Sequence, residues 1–306
     1  MNKIFCLIFL SFLAASQSFA QFEDDSPIIP KINEIKQSIV LINAEDDTST
    51  KYTFAGTGVL VGYSDITDLF VLTCEHIIAI KEPPGNGKTV RYYNKLKAFL
   101  HTKDKKVISL PLELLYANEA EDFALLALRI PPGYNDFIKK VIVKRIPYSQ
   151  FSKVSELKEG QTVLYMGYPG LYYNPSTSIW QNAERTNYYP LARTGIISQI
   201  IPEDSRILID GFAQSGYSGS PVFSIASHDS LSFDKGKLYL FKSTEYKLIG
   251  ITKAFPKEFG EINKIESRKY DSLETVLNPG FTMLTPMDNI IKLFENKKLF
   301  LPKEKN

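Results

Sequence analysis

Short apolar runs, each about the length of one strand and each closed by turn residues, recur along nearly the whole chain. "SIVLIN", "GTGVLVGY", "LFVLTCEHII", "VISLPLELLY", "FALLALRI", "TVLYMGYPG", "ARTGIISQII", "RILIDGF", "SPVFSI", "KLYLFK" and "YKLIGITKAF" are rich in Val, Ile, Leu, Tyr and Phe, and Gly, Asp, Asn, Ser or Pro recurs between them. Such residues fit a pleated, half-buried surface. Many short strands at close spacing imply an antiparallel sandwich or barrel rather than alternating βαβ units. There is no internal repeat of fixed period and no low-complexity tract.

The ends of the chain read differently. Met1, Asn2 and Lys3, the apolar run "IFCLIFLSFLAA" and then "SQSFA" form a short basic start, an apolar stretch and a small-x-small end. These are the parts of a secretory signal peptide, with cleavage expected after Ala20. The run is shorter than the roughly 20 residues that span a bilayer, so a membrane anchor is disfavoured. The expected location is therefore periplasmic or extracellular. Of the two cysteines, Cys6 falls in this leader, and the mature chain keeps Cys74 alone. No internal disulfide framework is available, and the fold must stand on its core.

Without Lys3 the mature chain carries 35 basic and 34 acidic residues, a balance that argues for neither nucleic acid nor a strongly charged substrate. The basic clusters "KDKK" (103–106) and "KKLFLPKEKN" at the end read as solvated surface.

A helix is expected in "SPIIPKINEIKQSI" and a stronger one in "TPMDNIIKLFEN", where Thr285 can cap, Pro286 suits the first helical position and Asp288 the first turn. Met287, Ile290, Ile291 and Phe294 would form its buried face. The polar stretch "PYSQFSKVSELKEGQ" divides two strand-rich halves, and a linker is expected near residues 145–158. Two further irregular regions, 171–190 with Tyr172, Tyr173, Trp180, Tyr188 and Tyr189, and 256–280, read as long excursions. The aromatic one either lines a cleft or packs on its own barrel.

"GYSGSP", Gly216 to Pro221, puts a hydroxyl between glycines ahead of an apolar strand. This is either a tight turn or a nucleophile whose neighbouring N–H groups, from Gly216 and Ser218, converge on one point. A nucleophilic serine needs a base and a group to orient it. There are three histidines. His101 and His228 lie in polar stretches and read as exposed loop residues, whereas His76 ends the apolar strand "FVLTCEHII", where a barrel would deliver it to a rim. Asp122 in "EAEDFALLALRI" stands immediately before a strongly apolar strand, a place where a partly desolvated carboxylate can hold an imidazole. Base, carboxylate and serine follow in that order, separated by 46 and then 96 residues.

This order, with "GTGVLVGY" leading into "VLTCEH", then "EDFALLAL", "GYPG", "TGIIS", "SGYSGSPVF" and "LIGITKAF", resembles the trypsin-like serine peptidases over about residues 37–295. The resemblance implies two antiparallel six-stranded β-barrels, residues 21–150 and 151–306 after the leader, with the C-terminal helix closing the second. It implies Ser218 as nucleophile, His76 as base, Asp122 as its orienter, and the N–H groups of Gly216 and Ser218 as oxyanion hole. Cys74 is then a small buried strand residue. Tyr217 stands where zymogen-activated members carry aspartate, so that activation switch is not expected. The style is closer to the bacterial HtrA-like branch, here without a PDZ domain, because few residues follow Asn289. Ser220 replaces the second glycine usual after the nucleophile. Phe212, six before the serine, argues for an apolar or small P1 side chain, with Thr252, Lys253 and Ala254 along the pocket wall; Lys253 would instead suit an acidic one.

A polypeptide substrate is implied, with no cofactor, metal, nucleic acid or, once the leader is gone, membrane. An α/β-hydrolase would need glycine where Ser220 stands and a histidine further downstream. No HExxH or paired cysteines point to a zinc hydrolase. The remaining competitor is a catalytically inactive binding protein of the same fold, and the intact set of three residue types weighs against it.

Overall fold

The computed structural model describes residues 28–45, 54–63, 69–82, 88–101, 107–130, 144–169, 172–174, 179–181, 189–201, 206–211, 216–234, 237–254, 258–259, 276–277 and 280–296. The expected signal peptide, both basic clusters, Phe212 and most of the 256–280 excursion lie outside them.

After helix α1 (Ile28–Lys36), the first barrel is built from β1 (Ile39–Glu45), β2 (Phe54–Gly62), β3 (Phe70–Thr73), β6 (Lys95–His101), β7 (Val107–Asn118) and β8 (Phe123–Leu128). The one-turn helix α2 (Glu75–Ile78) and the hairpin β4 (Ala79–Glu82) and β5 (Lys88–Tyr92) intervene between β3 and β6. The ring runs β1-β2-β3-β8-β7-β6 and returns to β1, all antiparallel. The second barrel uses β10 (Thr162–Gly167), β13 (Leu191–Ile201), β14 (Arg206–Asp210), β15 (Pro221–Asp234), β16 (Lys237–Ala254) and β19 (Phe281–Pro286). It closes as β10-β13-β14-β19-β16-β15. Helix α3 (Asp288–Glu295) follows. The fold is thus two closed six-stranded barrels with a C-terminal helix.

The connecting segment is more ordered than its polar composition implies. Strand β9 (Ile146–Pro147) joins β2 in parallel, two 3-10 turns follow, and Phe151 bridges to Leu248. Within the excursions, β11 (Tyr172–Asn174) pairs with β12 (Ile179–Gln181), and β17 (Glu258–Phe259) with β18 (Val276–Leu277).

Strands that face packing on both sides, β1 and β8, are apolar at their buried positions apart from Asn43 of β1. Every residue of β8 is buried, as are Ile39 to Ala44 of β1, whereas β6 and the first part of β7 alternate between barrel interior and solvent. The core of the first barrel, with Ile42, Leu60, Leu72 and Leu126, is continuous with Leu164, Phe223, Leu248 and Ile251 of the second. The second barrel's own interior is a smaller cluster around Val163, Tyr165, Ile197, Ile207, Tyr217 and Ile249. Each fully buried aliphatic side chain contributes about 1.5–3 kcal/mol, so this shared core holds the two barrels in register.

Helix α3 follows the second barrel but docks on the first. Phe294 is fully buried, with ring centroids 5.4 Å from Tyr63, 5.8 Å from Tyr148 and 5.3 Å from Phe151. Its start differs from the sequence expectation. Pairing of β19 continues to Pro286, opposite Gly250, so Thr285 and Pro286 are strand residues and the helix begins at Asp288. Thr285 donates its hydroxyl to the Glu121 carbonyl at 2.7 Å, and Asp288 accepts the Val154 N–H at 3.0 Å.

Candidate active site

His76, expected to end a strand, lies instead on α2, three residues past the end of β3. β3 stops at Thr73, Cys74 is extended, and four residues of helix then carry His76 inward. Asp122 occupies the turn between β7 and β8 with φ +57, a left-handed conformation that a non-glycine residue takes only at a cost of order 1–3 kcal/mol. That turn is clamped from three sides. The Glu121 N–H donates to Asn118 Oδ1 at 3.1 Å, its carbonyl takes the Thr285 hydroxyl, and its carboxylate takes the Asn289 amide. The result is a double grip: Asp122 Oδ2 lies 2.7 Å from His76 Nδ1, and Oδ1 accepts the His76 backbone N–H at 2.9 Å. The Asp122 side chain is 9% exposed and the imidazole 27%, so the imidazole reaches solvent while its partner does not.

Behind His76, Glu75 is fully buried. It accepts the Thr89 hydroxyl at 2.6 Å and pairs with Lys81 Nζ at 3.2 Å, tying α2 to the β4–β5 hairpin.

The serine turn is held chiefly by backbone and threonine contacts. Ser220 N–H donates to the Tyr217 carbonyl and Gly219 N–H to the Thr252 carbonyl, both at 2.8 Å, while the Thr252 hydroxyl donates to the Tyr217 carbonyl. Gly216 and Gly219 have φ of +94 and +79. A Cβ on Gly219 would fall 2.0 Å from the Thr57 carbonyl oxygen and 3.2 Å from Cys74 N, which shows how closely the turn approaches the strand leading to His76. Ser218 is half-buried, and its carbonyl accepts the Thr57 N–H at 2.9 Å. All recorded hydrogen bonds of His76 go to Asp122; among the described residues none joins it to Ser218. Among the described residues the N–H groups of Gly216 and Ser218 have no acceptor either.

The two departures in "GYSGSP" are both accommodated. Tyr217 is fully buried in the second barrel, edge-on to Tyr165 at 5.6 Å with Arg193 over its ring, and burial pushes its hydroxyl pKa up. Ser220 is also fully buried, in space left by Gly167: a Cβ there would fall 1.9 Å from the Ser220 hydroxyl.

Other expected residues are placed as follows. Thr252 is buried, its carbonyl and hydroxyl both used within the protein. Lys253 occupies a bulge in β16 and lines a cavity of about 890 Å³ with Glu121, Arg206, Leu284, Thr285 and Asn289. Ala254 pairs with Met283. His101, expected on an exposed loop, instead ends β6 with 8% exposure, stacked on Tyr189 at 4.6 Å and Tyr168 at 6.2 Å. His228 lies in β15, opposite Ser243, and not in a turn.

Ligand atoms of Cys74, His76 and Asp122 lie within 4.8 Å of one another, the size of a metal site. Burial first, and then the charge of Asp122, push the Cys74 thiol well up, and it donates to the Thr252 carbonyl at 3.1 Å. His76 and Asp122 bond each other and the thiol bonds Thr252, so a metal would have to displace these hydrogen bonds and deprotonate the sulfur.

The sequence matches the trypsin-like peptidase domain over residues 56–228, a stretch that contains His76, Asp122 and Ser218. The chain belongs to the trypsin-like peptidase family. This is a family of serine endopeptidases. Solved structures of similar fold include "HtrA-type protease AlgWS227A with tripeptide", at 12% identity and TM-score 0.49, covering 87% of this chain and 62% of that one. The MamO protease domain from Magnetospirillum magneticum matches at 12% identity and TM-score 0.48, covering 86% and 98%. The serine endoprotease from Yersinia pestis matches at 14% and 0.47, covering 88% and 64%. The chain thus spans about 62% of the length of the first of these. No curated protein matches the sequence.

Proposed function

We propose that this protein is an exported serine endopeptidase in which residues 21–150 supply His76 and Asp122 and residues 151–306 supply Ser218. The observation that carries the reading is the double grip of Asp122 on His76, at 2.7 Å to the ring and 2.9 Å to the backbone. A carboxylate that accepts from Nδ1 holds the proton there and leaves Nε2 as the base. Nε2 then takes the Ser218 proton as the oxygen attacks the scissile carbonyl. The resulting oxyanion is met by the N–H groups of Gly216 and Ser218, each donor being worth roughly 3 kcal/mol of barrier. Collapse expels the amine with the proton from His76 and leaves an acyl-enzyme. Water, deprotonated by the same nitrogen, releases the acid and restores Ser218.

The substrate is a polypeptide with an apolar or small P1 side chain, the preference implied by the place of Phe212 six residues before Ser218 in the sequence, with Thr252, Lys253 and Ala254 as the pocket wall. Export follows from the leader, "MNKIFCLIFLSFLAASQSFA". The test is cleavage of unfolded casein by the mature chain: fragments are expected from the wild type and none from Ser218→Ala. A folded wild type that leaves casein intact refutes the reading and favours a binding protein on this fold.

A further inference from the structure

Thr57 sits in the middle of β2, opposite Leu41, and is fully buried. A buried strand position beside Val59, Leu60 and Val61 would take valine at no cost, whereas a buried hydroxyl is unfavourable unless its bonds are made. Here both are made, and both leave the first barrel. Thr57 Oγ1 donates to the Gly216 carbonyl at 2.8 Å and accepts the Tyr168 N–H at 3.0 Å. Its main chain adds two more contacts: its N–H donates to the Ser218 carbonyl at 2.9 Å, and its carbonyl accepts the Thr73 hydroxyl at 2.7 Å.

We infer that Thr57 is a positioning residue that sets the oxyanion loop from the opposite barrel; this rests on the serine-peptidase reading above. The N–H and C=O of one peptide point in opposite directions. Thr252 holds the Tyr217 carbonyl, so the Ser218 N–H that shares that peptide is turned the other way. Thr57 holds the Gly216 carbonyl, which is joined to the Gly216 N–H through a single Cα at φ +94, so fixing that carbonyl restricts the rotations by which the N–H could turn away. One threonine hydroxyl from each barrel therefore holds a carbonyl beside an oxyanion donor, Thr252 within the donor's own peptide and Thr57 in the peptide that follows it. Gly216 is the residue that most needs such a hold, because glycine can adopt other φ values freely. With Thr57 as the clamp, the first barrel contributes to the oxyanion hole as well as to the base.

The test compares Thr57→Ser, Thr57→Cys and Thr57→Val in the full mature chain. The substrate is an internally quenched peptide with an apolar P1 residue, and a peptide aldehyde serves as mimic of the tetrahedral adduct. Thr57→Ser keeps the hydroxyl and is expected to hold kcat near the wild-type value. Thr57→Val is expected to lower kcat roughly 10- to 100-fold with KM and the pH midpoint unchanged, since a donor misplaced by about 1 Å forfeits most of its effect. Aldehyde affinity should fall by the same factor, with Thr57→Cys between. If the valine variant does not fold, the order serine above cysteine carries the comparison. The inference is overturned if Thr57→Val keeps its kcat, if the loss appears in KM alone, or if Thr57→Ser falls as far as Thr57→Val. A crystal structure of Thr57→Val gives a readout apart from turnover, in which the Gly216 carbonyl is expected to have turned; an unmoved carbonyl also overturns it. A wild type that cleaves nothing refutes the peptidase reading and this inference together, whereas an active wild type matched by Thr57→Val refutes this inference alone.

Discussion

Numbered within themselves, the two barrels close in the same ring, first-second-third-sixth-fifth-fourth. In each, the connection after the third strand carries a chemically equipped turn: His76 follows β3 and Ser218 follows β14. The two connections are held in opposite ways. In the first barrel the hold is electrostatic, with Asp122 on the His76 ring and the buried Glu75 paired to the part-exposed Lys81. In the second it is neutral, with backbone hydrogen bonds, positive-φ glycines and two threonine hydroxyls. In the proposed mechanism, the base that gains and loses a proton is thus set among charges, and the loop that presents N–H donors is set among dipoles. The interlock runs both ways, since Thr57 reaches into the second barrel and Thr285 reaches back to the Asp122 turn.

The largest break in this comparison should come from Asp122→Asn. It keeps the size of the side chain but lets Nδ1 lose its proton, and kcat is expected to fall about 10,000-fold while the melting curve stays near that of the wild type. Equal activity in the asparagine variant would remove the electrostatic half of the contrast.

Next is stability. Glu75→Ala removes the buried acceptor of Thr89 and Lys81, the latter keeping the exposed Glu119 at 3.8 Å, and should cost about 1–3 kcal/mol in urea unfolding. Glu113→Ala on β7 removes an exposed carboxylate whose partner, Arg129, is equally exposed, and should stay within about 0.5 kcal/mol. Comparable losses at both sites would show that burial is not what makes the first hold strong.

Gly219→Ala probes the neutral side. The new Cβ meets backbone at 2.0 Å in a left-handed conformation, so a loss of about 1–3 kcal/mol is expected together with loss of activity. An alanine variant of wild-type stability would mean that the turn is not pinned as described.

The smallest effect is a pH dependence. Burial raises the hydroxyls of Tyr165 and Tyr217, so the unfolded chain releases these protons near pH 10 while the folded chain keeps them. Their contribution is complete below about pH 10 and is lost as pH rises from there. Tyr217→Phe should flatten that decline, and an unchanged slope would contradict it.

Much of this was legible in the sequence. Strand-length apolar runs separated by turn residues gave the barrels, and the order of His76, Asp122 and "GYSGSP" gave the candidate site. What was not legible depends on contacts distant in sequence. "EHII" is too short to show a helical period, so His76 reads as a strand end. His101 precedes the polar run "TKDKK" and shares the outer face of β6 with Lys95, Lys97 and Phe99, yet Tyr168 and Tyr189 cover it there. Glu75 looks like any solvated carboxylate until Lys81 and Thr89 fold around it. Thr57 is an ordinary strand threonine until residues 159 positions away arrive beside it. Thr285 reads as a helix cap because nothing local reveals that β19 runs through it.

The most direct measurement is reaction of the mature protein with a fluorophosphonate probe, followed by mapping of the adduct. A single adduct on Ser218 in the wild type, slowed by orders of magnitude in His76→Ala, is the predicted result. A folded protein that stays unlabelled, or an adduct on another residue, would contradict the account.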